Sequence, residues 1–81
     1  MKVQIVIHLK SDIPDAPGRV VAQRLVDMGY QEVRDAKIGK VIDLDLDTGD
    51  EFVAQDRVRR MCEELLANTV VEDFSVRFFD D

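Results

Sequence analysis

The chain has little of what small active sites are usually built from. One cysteine and one histidine stand among its 81 residues. A lone cysteine forms no internal disulfide, which suits a cytoplasmic setting. Cys62 and His8 together also fall short of the several convergent ligands that a structural metal asks for. The glycines, Gly18, Gly29, Gly39 and Gly49, are isolated one to a turn, so neither the dinucleotide fingerprint nor the P-loop is present. No apolar run is long enough to span a bilayer, and the N-terminus lacks a signal-peptide pattern, so no membrane association is expected. Positive charge is scarce: 11 Lys and Arg against 17 Asp and Glu leave a net charge of -6. Nucleic acid is not an expected partner, because non-specific binding rests on neutralising phosphates and base stacking needs aromatic pairs that the strands lack.

What is present describes one globular domain over residues 1–81, with 46% hydrophobic residues. A domain of this size buries a modest core, so oligomerisation is an expected source of added stability. From residue 2 to residue 10, Val3, Ile5, Ile7 and Leu9 alternate with Lys2, Gln4, His8 and Lys10, the pattern of a strand with one buried face. Residues 11–18 read as a loop, with Asp15 as N-cap and Pro17 tolerated in the first helical turn. Val21, Leu25 and Met28 then follow helical spacing, and Gly29 stops the helix. A second strand is expected over residues 32–39, with Gly39 and Lys40 marking a turn or bulge. A third follows with Ile42, Leu44 and Leu46 facing in and Val41, Asp43, Asp45 and Asp47 facing out.

Thr48 with Glu51 has capping-box spacing, and Asp50 competes as N-cap. The second helix is expected over residues 51–67, burying Ala54, Val58, Met61, Cys62 and Leu65. Asn68 is expected in the left-handed conformation at its end. A fourth strand over residues 69–79 points Val70, Phe74, Val76 and Phe78 inward, and Asp80 and Asp81 are expected to fray. The order β-α-β-β-α-β predicts an α+β fold: a four-stranded antiparallel sheet with two helices on one face. Val6, Val41, Val71 and Phe79 fall on the other face, a modest sign of a partner surface and of a sheet-mediated oligomer.

No catalytic constellation emerges. Cys62 lies on an apolar stripe far in sequence from His8, and reads as a buried structural thiol. His8 reads as a surface or interface residue. Asp43, Asp45 and Asp47 resemble the start of a calcium loop, but the glycine falls one place late and Ala54 occupies the closing acidic position. They read as a solvated strand face that discourages edge pairing. Arg57, Arg59 and Arg60 read as a solvated helix face, able to pair with Glu63 and Glu64 by spacing. The residues alone describe a binding or assembly module.

Leu65-Leu66-Ala67-Asn68-Thr69-Val70-Val71-Glu72-Asp73-Phe74 resembles the C-terminal signature of PurS, the small accessory subunit of phosphoribosylformylglycinamidine (FGAM) synthase. Val33-Arg34-Asp35-Ala36-Lys37-Ile38-Gly39-Lys40 is similar to that family's central stretch, with Lys37 for the usual Arg and Ala36 for the usual Val. The loop departs from the family pattern, keeping Asp15 and Gly18 but moving the prolines. The resemblance implies a chain with no active site or cofactor of its own, a dimer or tetramer in the cytoplasm. It would join a glutaminase subunit (PurQ) to an ATP-dependent synthetase subunit (PurL), on which ATP and Mg are expected. Asp15, Gly18, Gly39 and Lys40 are the expected partner contacts, with Val6, Val41, Val71 and Phe79 on the sheet. Another class of function, a stand-alone ferredoxin-like module sensing a small ligand, would favour Gly-rich interface loops, whereas these loops carry Asp and Pro. An acyl-phosphate hydrolase would need an arginine in the first loop, and residues 11–18 contain no basic residue.

Overall fold

Alternation makes the central strand. In the computed structural model of the chain, which describes residues 1–79, Val3, Ile5 and Ile7 of β1 (Lys2–Leu9) are almost wholly buried and form the floor of the core. β2 (Lys40–Asp45) and β3 (Glu72–Phe79) flank β1, both antiparallel to it, in the order β2-β1-β3. Ile5 lies opposite Ile42 on one side and Val76 on the other, so each strand turns its apolar set to the same face. α2 (Glu51–Met61) crosses that face and buries Ala54 and Val58 against it. Asp50, not Thr48, caps α2: its carboxylate accepts from the amides of Phe52 and Val53, while the Thr48 hydroxyl accepts from the Asp50 amide.

The end of α2 differs from its expected course. The chain passes into a π-helical turn, Cys62–Leu66, and the wider turn slips the helical phase by about one residue. Cys62 stays fully buried and Leu66 and Ala67 turn inward, but Leu65, expected in the core, is 83% exposed. Asn68 is not left-handed either, for among the described residues only Gly29 has a positive φ, at 108°. Asn68 instead organises a turn: its carbonyl accepts from the amides of Val71 and Glu72, its side chain from Val70, and its amide donates to Glu72 Oε1. β3 consequently starts at Glu72 rather than Thr69, and Val70 is exposed rather than inward-facing. Asp80 and Asp81 lie outside the described residues.

The largest departure is in the first half. The strand expected over residues 32–39 is absent, so the sheet has three strands rather than four. Residues 33–39 carry no ladder partner and lead directly into β2, with no left-handed turn at Gly39. α1 (Ala16–Asp27) forms, with Asp15 as N-cap and Gly29 just past its end, but it contributes no side chain to the core cluster. Among the described residues, α2 and the π turn that ends it cover the sheet, in place of two helices on one face. α1 and residues 28–39 form an arm that projects from the body. The radius of gyration is 16.1 Å, against about 12 Å for a compact chain of this length.

Candidate functional site

Among the described residues no constellation of nucleophile and base assembles. Cys62 is sealed in the core, where burial first and the Glu63 charge second push its thiol up. Asp43 and Asp45 are engaged across the sheet: Asp45 pairs with Lys2 at 3.2 Å, and Asp43 accepts from Gln4 at 3.5 Å. Among the described residues no group of three or more His, Cys, Asp or Glu is placed to hold a metal. The arginines on α2 stay exposed. Arg59 reaches Asp56 and Glu63 at 4.0 and 3.7 Å, and Arg60 reaches Asp56 at 3.9 Å rather than Glu64.

The organised polar geometry lies where the arm leaves the body. One Asp15 carboxylate oxygen accepts from the Gly18 amide at 2.9 Å, and the other from the Ile38 amide at 2.7 Å. Asp15 thus caps α1 and pins the returning segment to its start. These two backbone hydrogen bonds, Gly18 first, hold its carboxyl below the ordinary carboxylate range. Gly18 lies so near residue 36 that a Cβ there would run into the Ala36 carbonyl oxygen. Gly39 is equally confined: a Cβ would strike the Ile7 carbonyl oxygen and lie 2.6 Å from His8 Cδ2. Asp15 and Gly18 therefore clamp the two limbs of the arm together at its base, Gly39 sets the arm against β1, and Lys40 follows as the exposed first residue of β2. Asp15, Gly18 and Gly39, expected as partner contacts, are in the fold moorings of the arm's base, and Lys40 is not.

The outer face of the sheet brings together two of its four apolar residues. Val6 lies opposite Val41. Phe79 lies opposite Lys2 at one end of β3, with the Arg77 guanidinium 5.1 Å from its ring. Val71 is at the other end, its carbonyl accepting from the Lys10 amide.

Two apolar features were not foreseen. Val20, Val21, Met28, Tyr30 and Ile38 are exposed along the arm. Grooves also run along both flanks of α2, where a single helix leaves the sheet partly open. One, of about 370 Å³, lies between Phe52 and Phe74, Val76 and Phe78 of β3. The other, of about 250 Å³, lies between α2 and the end of β2, lined by Leu46, Thr48, Val53 and Met61 among others. Val20, outside the Val21–Leu25–Met28 stripe, is the available sequence signal that α1 is apolar on more than one line.

Residues 2–80 match the family model PurS, phosphoribosylformylglycinamidine (FGAM) synthase. The chain belongs to the PurS family. It is 41% identical over 73 residues to the PurS subunit of Bacillus subtilis FGAM synthase, covering 90% of this chain and 86% of that one. A crystal structure of B. subtilis PurS superposes with a TM-score of 0.83 at 39% identity, over 94% of each chain. The structure of PurLQS from Thermotoga maritima superposes with a TM-score of 0.86 at 32% identity, over 94% of this chain and 93% of that chain. At this coverage the superpositions take in the arm as well as the body.

Proposed function

We propose that this FGAM synthase subunit performs no chemistry itself and holds two enzymes in register. The observation that carries this is the superposition on a chain of the T. maritima PurLQS complex, arm included. In this reading a glutaminase subunit releases ammonia from glutamine. An ATP- and Mg-dependent synthetase subunit activates the amide oxygen of formylglycinamide ribonucleotide as a phosphoryl leaving group, and ammonia displaces it to give the amidine, ADP and phosphate. Ammonia released into water at neutral pH is mostly protonated and then carries no lone pair for attack. A bridging subunit that aligns the two sites delivers it before it meets bulk water. The chain acts in the cytoplasm as an oligomer of itself, with Lys40 and the Val6–Val41 pair among its contact positions. No helix among the described residues is long and apolar enough to cross a membrane.

Reconstitution tests it. The matching synthetase and glutaminase are supplied with ATP, Mg, formylglycinamide ribonucleotide and either glutamine or ammonium, with and without this chain. Glutamine-dependent amidine formation that needs the chain, beside ammonium-dependent formation that does not, is the expected result. Equal glutamine-dependent rates with and without the chain would overturn the bridging role.

A further inference from the structure

The fork at the arm's base holds a cleft of about 280 Å³. The loop before α1 and the first turn of α1 form one wall, and residues 35–37 form the other. The walls are tied together: the Asp15 carboxylate joins the Gly18 and Ile38 amides, and Gly18 packs against the Ala36 carbonyl. Arg19 and Lys37 line this cleft, and so do Asp12 and Asp35. Elsewhere on the surface opposite charges pair, Lys2 with Asp45 and both Arg59 and Arg60 with Asp56. Among the described residues none of the four side chains in the cleft forms an ion pair. Asp35 is held in place by the Ala36 amide, which donates to it at 2.9 Å. Two charges of each sign thus line one cleft without neutralising each other.

We propose that this cleft binds a free α-amino acid, with its carboxylate on Arg19 and Lys37, its ammonium on Asp12 and Asp35, and its side chain over Ile13 and Pro14. The bound molecule ties the loop to residues 35–37 at a second point beside the Asp15 clamp, so the base of the arm stiffens when the site fills.

The charge pattern selects the class of ligand. A simple anion drawn to Arg19 and Lys37 also meets two carboxylates, and a simple cation drawn to Asp12 and Asp35 also meets two basic groups. A molecule that carries both charges on one carbon satisfies both pairs. The guanidinium of Arg19 offers a planar fork of donors that matches a carboxylate. The end of α1 is not itself the attraction, because Asp15 already takes the Gly18 amide. Size points the same way: sites for drug-sized molecules run from about 300 to 1,000 Å³, so a cleft of 280 Å³ suits something smaller. Half-buried Ile13 beside Pro14 supplies apolar surface for a side chain. All four charged residues are exposed, so water screens each contact and the expected dissociation constant is about a millimolar.

The test follows backbone amide chemical shifts of the full chain at pH 7 as three probes are added. L-leucine carries both charges, N-acetyl-L-leucine lacks the ammonium and L-leucinamide lacks the carboxylate. Saturating shifts at Gly18, Ala36 and Ile38 are expected with L-leucine, and both blocked forms are expected to bind at least about tenfold more weakly. Arg19→Gln and Asp12→Asn are each expected to weaken L-leucine at least about fivefold. Arg57→Gln, on α2 and outside the cleft, is expected to leave its affinity unchanged. All three substituted side chains are exposed, so each variant retains its fold, which circular dichroism checks. Shifts that fail to saturate by about 50 mM L-leucine would overturn the proposal. N-acetyl-L-leucine binding as tightly as L-leucine would overturn it in favour of an anion site, and equally tight L-leucinamide in favour of a cation site. Undiminished affinity in Arg19→Gln or Asp12→Asn would place the ligand elsewhere. The bridging role is judged separately by glutamine-dependent turnover, so failure of one does not imply failure of the other.

Discussion

Val58 on α2 and Val21 on α1 are the same side chain in the same setting, the apolar stripe of an amphipathic helix. Val58 is 0% exposed and Val21 is 39% exposed. The difference is in what each helix meets. Val58 lies over β1 between Ala54 and Cys62, where three strands present an unbroken apolar floor. Val21 is carried on an arm that meets the body at its base, where Gly39 packs against Ile7 and His8, and it contributes no side chain to the core cluster. Helical spacing states which side of a helix will be buried, and is silent on whether the covering surface belongs to the same chain.

The sharpest way to press this contrast is truncation in the two regions. Ile5→Ala removes buried methyl and methylene groups from the centre of the core and is expected to cost about 2–5 kcal/mol in urea unfolding. Met28→Ala, at a side chain 71% exposed, is expected to change it by no more than about 0.5 kcal/mol. Equal losses would mean that the arm is part of the body's core.

The moorings come next in size. Gly18→Ala sets a Cβ against the Ala36 carbonyl, and Gly39→Ala sets one against the Ile7 carbonyl, so backbone has to move in either case. Each is expected to cost about 1–3 kcal/mol. Gly49→Ala meets no atom within 4 Å and serves as the near-neutral control. Should Gly18→Ala match Gly49→Ala in stability, the close approach of α1 to residue 36 would be wrong.

Asp15 sharpens the same comparison through pH. Its carboxyl titrates below the ordinary carboxylate range because the folded chain gives its ionised form two backbone amides, Gly18 first and Ile38 second. The group therefore contributes stability that is fully present above its unfolded pKa and is lost as pH falls through the folded one. Thermal scans of wild type and Asp15→Asn are expected to diverge above about pH 4 and to converge as pH drops below it. A constant gap across that range would assign Asp15 a role that does not depend on its charge.

What the sequence declared and what it withheld divide along the same line. The alternation of Val3, Ile5 and Ile7, the inward set Ile42–Leu44–Leu46, the Asp15 cap and the Gly29 stop are local patterns, and each is found in the fold. The strand over residues 32–39 is missing because a strand needs a partner edge, and this segment runs on into β2 without pairing to one. Leu65 is misplaced because one π turn shifts the phase, and no residue in Cys62–Leu66 announces such a turn. Asn68 was given a conformation that Asn tolerates, but its side chain found a backbone partner two residues on. The signature at residues 65–74 marks the family without exposing a chemical role, since its buried members, Leu66 and Ala67, serve packing and its polar ones, Asn68 and Glu72, build the corner.

The smallest expected effect lies on the outer face of α2. Arg59 spans Asp56 and Glu63, one turn away on either side, but all three side chains are more than half exposed. Solvent screens such pairs, and holding a long side chain in one geometry costs rotamer freedom, so the net gain is small. Arg59→Ala is expected to lower stability by about 0.5 kcal/mol, an effect that fades in molar salt.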